Sequence, residues 1–446
     1  MFNPTLSFHA RGIQAVCLIA AFGLALGLPA PKMPAVMAES AVESSVLPNG
    51  LTLITEQRPE SRVVGVAMVV RAGSRYEDDT TDSAARMLER MYLQGTDSRP
   101  SRDELIKPVT RLGGSLSVSA GYESVLFQSS VRVADLDVVL DIMSDALLHS
   151  QFDELKFEKE RDLAVQELVE LEDQPPSLAG YTFQRTIYAG QSMGHVPAGT
   201  IDGLNALTIE ALNAYRATFV GSNRSAIAVV SPFPHAEVQR RIGAFWGEFQ
   251  QVSDRAPEPT DFMRSATGQN AIVAGADQSV VLVGTGIPGA SHPDRPALTV
   301  LASALNGFTG RLMHEIRDLR GLAYTTSASS RAASDSGTLV AQAGTEPANA
   351  EKVAGLLEEQ LQKLADEPLS EAELKRAIGQ AIGTRLIDSE SALSRASDLA
   401  SLWVVGAEQP VEEWEARLQS VTAADVQRVA GAYLRSNRLL RLVTQP

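Results

Sequence analysis

The chain has 446 residues, 44% hydrophobic and 21% charged, the make-up of a globular protein too long for one hydrophobic core, so two or more domains are expected. Its 39 basic and 54 acidic residues give a formal charge of −15, which argues against nucleic acid and anionic lipid as partners. Cys17 is the only cysteine, which excludes an internal disulfide and a multi-cysteine metal site.

The first feature along the chain is a leader. Residues Ile13 to Leu28 are apolar, follow Arg11, and precede small residues ending Val36-Met37-Ala38. This run is shorter than the roughly 20 residues a spanning helix needs. It has the layout of a secretory signal over residues 1–38, cut after Ala38, with retention as a membrane anchor as the alternative. The residues before Cys17, Gln14-Ala15-Val16, lack the leucine-led pattern of a lipoprotein. Removal of the leader takes Arg11, Lys32 and Cys17, so the mature chain carries no thiol and a formal −17. Export to a bacterial periplasm or a comparable lumen is expected, with no stable membrane insertion after cleavage.

Leu51–Thr55 and Val63–Arg71 read as antiparallel strands split by a turn, and Asp82–Leu93 has helical periodicity. Gly113-Gly114 opens two alternating strands, Ser115–Ser119 and Ser124–Val131, before helical spacing returns over Val133–Leu148. The second half repeats the order. It offers a strand at Val280–Gly284, helices at Pro296–Leu305 and Arg311–Leu319, strands at Tyr324–Ser330 and Gly337–Gly344, and a helix at Asn349–Ala365. The reading is an α+β protein of two homologous domains, each a mostly antiparallel sheet covered by helices, at residues 39–250 and 270–446. A proline-bearing linker at 251–269 joins them.

The segment most suggestive of chemistry is Arg71-Ala72-Gly73-Ser74-Arg75-Tyr76-Glu77, followed by Arg86-Met87-Leu88-Glu89-Arg90-Met91 and Gly95-Thr96. It resembles the strand and helix of the insulinase and pitrilysin-like zinc peptidases, and among these the short members of mitochondrial-processing-peptidase type. In that family H-x-x-E-H places two imidazoles, four residues apart, on one helix face around zinc, with the glutamate as general base. The family's third ligand is a glutamate 77 residues beyond the second histidine. At that distance from Arg90 stands Glu167, in an acidic stretch starting Glu160-Arg161 and followed by Asp173-Gln174-Pro175. Arginines occupy both histidine positions, and a guanidinium has no lone pair for a metal. The expectation is a degenerate motif of Arg86, Glu89, Arg90 and Glu167 that binds no zinc, its charge supplied by an Arg/Glu cluster. Solvent-facing arginines decorating the surface are the competing possibility. His149, His195, His235, His292 and His314 show no i, i+4 pair that could substitute.

The stretch from Gly310 to Tyr324 resembles the signature of the family's second domain, in which an arginine and a tyrosine face the zinc site across a chamber. By position these are Arg317 and Tyr324, the tyrosine as oxyanion donor and the arginine as substrate clamp. Gly194-His195-Val196-Pro197-Ala198-Gly199-Thr200 resembles a family turn. Gly113-Gly114-Ser115-Leu116-Ser117-Val118-Ser119 resembles the glycine-led edge strand that pairs with substrate through its backbone, although Ser117-Val118 stand where active relatives usually carry asparagine-alanine. The resemblance implies half of a clam-shaped chamber. This chain would then be a catalytically incomplete subunit that pairs with a homologous H-x-x-E-H partner holding the zinc. It would offer Arg317 and Tyr324 in trans to peptides or small unfolded proteins. The alternative is a non-enzymatic assembly subunit, like the core proteins of respiratory complexes.

Overall fold

The computed structural model describes residues 42–171, 174–273, 278–407 and 411–445. The expected leader and Asp173 lie outside the described residues. The first half runs β1 (Val42–Val46), β2 (Thr52–Gln57), β3 (Val63–Val70), α1 (Ala84–Met91), α2 (Arg102–Arg111), β4 (Ser115–Ala120), β5 (Val125–Arg132), α3 (Leu136–His149), α4 (Glu154–Glu170) and α5 (Pro175–Ile187). It continues through α6 (Ile201–Ala206), α7 (Ile209–Phe219), β6 (Ser225–Ser231) and α8 (His235–Trp246).

The second half runs β7 (Gly268–Val273), β8 (Ser279–Pro288), α9 (Arg295–Leu305), a π-helical turn (Met313–Asp318), β9 (Thr325–Ala332), β10 (Ser336–Thr345) and α10 (Ala350–Asp366). Then come α11 (Glu371–Asp388), α12 (Ala392–Val405), α13 (Val411–Gln419), α14 (Ala423–Tyr433) and β11 (Leu440–Gln445). No helix among the described residues is long and apolar enough to cross a membrane.

The sheets share one topology. The first has the order β1-β2-β6-β3-β5-β4 and the second β7-β11-β8-β10-β9, so β2 corresponds to β7, β6 to β11, β3 to β8, β5 to β10 and β4 to β9. Even the parallel pairs match, β2 with β6 and β7 with β11. The strands at 51–55 and 63–71 exist but are not neighbours. β6 lies between them, parallel to β2 and antiparallel to β3, with Met68 opposite Ile227. Its sequence, Ser225 to Ser231, is buried at every position, so it lacks the alternation that marks a half-exposed strand.

β3 is buried on both faces. Val64, Val66, Met68 and Val70 join a core with α1, α3, α7 and α8, whereas Ala67 and Val69 point the other way. That second face, completed by Ile54, Ala226, Ala228 and Val230, is covered by Ala392, Ala396, Leu399 and Ala400 of α12, a helix from the other half of the chain. The favour is returned. Ala179, Phe183 and Ile187 of α5 cover Val280, Leu282, Leu440 and Leu442 of the second sheet.

Alanines four apart make one side of α12 shallow, and Gly65 lets it settle closely on the sheet. A Cβ at Gly65 would come within 2.2 Å of the Ala392 carbonyl oxygen. Ion pairs follow the same seam. Buried Arg395 on α12 binds Glu56 of β2 (2.6 Å) and Asp398 (3.0 Å). Arg75, wholly buried, binds Glu123 (2.5 Å), Asp335 of the β9–β10 turn (2.8 Å) and the Glu258 carbonyl (3.3 Å). Residues 249–261 form neither helix nor strand.

Gly65→Ala is expected to destabilise the chain by about 1–3 kcal/mol through overpacking beneath α12. Urea unfolding measures this, and an unchanged midpoint would show that α12 does not depend on that close approach.

Candidate functional site

α1 starts without a conventional side-chain cap. Its N-cap, Ser83, has a left-handed backbone (φ 73°), and the Glu77 carboxylate takes over by accepting from the Ser83 N–H (3.1 Å) and the Ala85 N–H (2.8 Å). Burial pushes the Glu77 carboxyl well above its ordinary range, against the pull of these backbone bonds. The Gly199-Thr200 turn buttresses the same point. The Thr200 hydroxyl donates to Asp82 (2.7 Å) and its N–H to the Ser83 hydroxyl (3.0 Å). Gly199 (φ 73°) has no room for a side chain, since a Cβ there would meet Ser83 Oγ at 2.4 Å.

This anchoring directs Arg86, Glu89 and Arg90 toward α4 and the end of β4. Arg86 Nη1 donates to both oxygens of Glu89 (3.0 and 3.1 Å), and its other terminal nitrogen binds Glu167. Arg90 Nη1 spans Glu167 at 2.9 and 2.8 Å, while its Nε donates to Glu160 at 3.0 Å. Glu89 also accepts from the Ala120 N–H (3.0 Å), tying the helix to the last residue of β4. Burial would raise the Glu167 carboxyl, but the hydrogen bonds and charge of Arg90, then Arg86, overcome it and hold the group below its ordinary value.

Two arginines and three carboxylates thus meet where α1 faces α4. Glu160 was not among the candidates from sequence. Its spacing contained the signal, because it precedes Glu167 by seven residues, two helical turns on one face. The residues present do not fit zinc. Two of the positions offer only N–H donors, and Glu89 and Glu167 already accept from them.

Ser117, Val118 and Ser119 lie on β4, the outer strand of its sheet, paired on one side with Gln128, Phe127 and Leu126. Val118 packs partly on the core, and the strand's other edge is unpaired among the described residues. Arg317 and Tyr324 are not brought to the cluster. Arg317, on the π-helical turn, is exposed and among the described residues reaches only Met313 Sδ (3.6 Å), while Tyr324, at the entrance to β9, is 74% exposed. The helix expected at Arg311–Leu319 is π-helical over Met313–Asp318, with Ile316 buried.

One further grouping was not announced by spacing. Ligand atoms of Glu77, Asp82 and His195 lie within 4.8 Å of one another. Both acids are engaged, Glu77 by the start of α1 and Asp82 by Thr200, so the grouping reads first as support for the helix.

A duplicated α+β chain of two sheets with one strand order is the architecture expected of an insulinase-type peptidase. Comparison with known proteins agrees. The profile described as insulinase (peptidase family M16) matches residues 52–199, and that of the peptidase M16 inactive domain matches residues 206–381. A Streptomyces coelicolor protein named an uncharacterized zinc protease is 27% identical over 401 residues, covering 87% of this chain and 86% of the relative. The probable mitochondrial-processing peptidase subunit beta of Arabidopsis thaliana is 27% identical over 414 residues, covering 89% and 77%. A Helicobacter pylori protease structure superposes with a TM-score of 0.84 at 21% identity, covering 91% of this chain and 100% of that one. The chain belongs to the insulinase family of peptidases, M16.

The two arginines should differ in weight. Arg90→Ala leaves Glu160, 9% exposed, without its cation and is expected to cost roughly 3 kcal/mol. Arg86→Ala leaves Glu89 with the Ala120 N–H and Glu167, half-exposed, with Arg90, and should cost less, about 1 kcal/mol. Because the Glu167 carboxyl is lowered, its share of stability is complete above the ordinary glutamate value near 4.3 and is lost as pH falls through the native one. Denaturant midpoints for both variants across pH 3–7 check the order. Equal costs would refute it.

Proposed function

We propose that this chain is the subunit of a two-chain peptidase that does not bind the metal. It pairs with a homologous H-x-x-E-H subunit, helps enclose a peptide, and lends Arg317 and Tyr324 to the partner's site. The observation that carries this is the state of its own motif, where Arg86 and Arg90 occupy the ligand positions and take up Glu89, Glu160 and Glu167 in hydrogen bonds. The exposure of Arg317 and Tyr324, which make no contact with that cluster, suits groups that act outside their own chain. The mature form acts after export, consistent with the leader pattern.

In this reading the hydrolytic metal and water belong to the partner. Tyr324 donates its hydroxyl to the oxyanion that forms on the scissile carbonyl, and Arg317 holds the neighbouring substrate backbone. The peptide adds as a strand to the edge of β4 at Ser117–Ser119, which is unpaired among the described residues, through backbone groups that tolerate many side chains.

Reconstitution with the H-x-x-E-H subunit tests the assignment. Neither chain alone should cleave a reporter peptide appreciably, and Tyr324→Phe or Arg317→Ala should lower kcat of the pair by about 10²-fold. Unchanged rates in both variants would leave the chain a scaffold.

A separate measurement addresses the motif. The double variant Arg86→His, Arg90→His should acquire one zinc that is lost on further change of Glu167→Ala, as read by metal analysis. Zinc in the unaltered chain that disappears with Glu167→Ala would overturn the reading.

A further inference from the structure

Buried carboxylates in this chain are matched with arginines. Glu56, Glu123, Asp135, Asp145, Glu160 and Asp294 are buried, and each forms an ion pair with an arginine. Glu77, 7% exposed, is the exception among the described residues. Its oxygens accept two backbone N–H groups at the start of α1 and meet no cationic side chain. Asp82, five residues on, accepts from hydroxyls and has no ion pair either. Both acids line a cavity of about 880 Å³, and the arginines on it, Arg75, Arg185, Arg255 and Arg264, pair with neither. Arg75 is committed to Glu123 and Asp335.

What faces the two acids is an imidazole. One ligand atom each of Glu77, Asp82 and His195 lies within 4.8 Å of the other two, and His195 lines the same cavity. Its ring has no hydrogen-bond partner among the described residues, while its carbonyl is fixed by the buried Ser74 hydroxyl, which donates to it at 2.8 Å.

The acids are fixed as well, Glu77 by the Ser83 and Ala85 N–H groups and Asp82 by the Thr200 hydroxyl. Each of these bonds uses one lone pair of an oxygen that has two, and such bonds are what orient the carboxylates of metal sites. Atoms bound about 2 Å from one metal lie at most about 4 Å apart, so the trio needs to contract by less than about 1 Å.

We propose that Glu77, Asp82 and His195 form a site for one divalent transition-metal ion, which ties the start of α1 to the turn at 195–200. One imidazole nitrogen with two carboxylate oxygens suits zinc or manganese, whereas calcium and magnesium favour shells of oxygen alone. The dication supplies here the positive charge that an arginine supplies to the other buried carboxylates. Asp78 and Asp79, on the same cavity, strengthen the field that draws a cation in. None of the three ligands belongs to the Arg86–Glu167 cluster, so this site and the partner reading stand or fall separately.

Calorimetry with zinc, manganese, calcium and magnesium chlorides on the chelator-stripped chain tests it. One equivalent of zinc or manganese should bind at least about tenfold more tightly than calcium or magnesium, and should raise the melting temperature. His195→Ala should weaken that binding by about tenfold or more. Asp82→Asn, which keeps the side chain's shape, should do the same and serves if the histidine variant does not fold. Glu167→Ala should leave the affinity unchanged, which distinguishes this ion from one held at the helix motif. Absence of one-to-one binding, affinity indifferent to both substitutions in folded protein, preference for calcium, or loss with Glu167→Ala would overturn the proposal. If protonation of His195 alone neutralises the acids, zinc will leave its NMR titration unaltered, and the proposal falls.

Discussion

Neither sheet of this protein is finished by its own half of the chain. The face of the first made by Ile54, Ala67, Val69 and Ala228 is closed by α12, and the face of the second made by Val280, Leu282 and Leu442 is closed by α5. Apolar strand faces of this size cannot remain in water, so each half depends on a helix contributed by the other. Arg75 and Arg395 add buried charge pairs along the same seam, where loss of one partner strands the other. The relative placement of α1, β4, the π-helical turn and β9 therefore follows from core packing, with no need for a stiff linker.

Within that frame the Arg/Glu cluster shows how two helices can be joined by charged side chains alone. Three carboxylates converge on α1, a concentration of negative charge that would be unfavourable unless neutralised. Two guanidiniums supply cationic charge together with directional N–H donors, and they lock α1 to α4 as a bridging ion would.

Much of this was legible in the sequence because it depends on local periodicity or fixed spacing. The alternating strands at 115–119 and 124–131, the duplicated element order, and the placement of Glu167 opposite Arg90 fall in this group. What escaped depends on burial or on long-range contact. β6 is buried on both faces and has no period to read, so its insertion between β2 and β3 is invisible locally. The crossing of α5 and α12 is a choice between two similar sheets, and one helix's apolar face does not name its partner. Nearness of His195 to Glu77 and Asp82 arises because the Gly199-Thr200 turn folds onto the start of α1, more than a hundred residues earlier.

The edges of β4 and β9 that are unpaired among the described residues have a consequence of a different kind. An exposed strand edge is also a template on which a second copy of the chain could polymerise. β4 reads Ser-Leu-Ser-Val-Ser-Ala and β9 reads Thr-Thr-Ser-Ala-Ser-Ser-Arg-Ala. Their solvent-side residues are mostly small hydroxyls, which leave the backbone accessible yet give two facing edges little apolar surface with which to form a dry zipper. The edges of β4 and β9 are thereby poor seeds for aggregation.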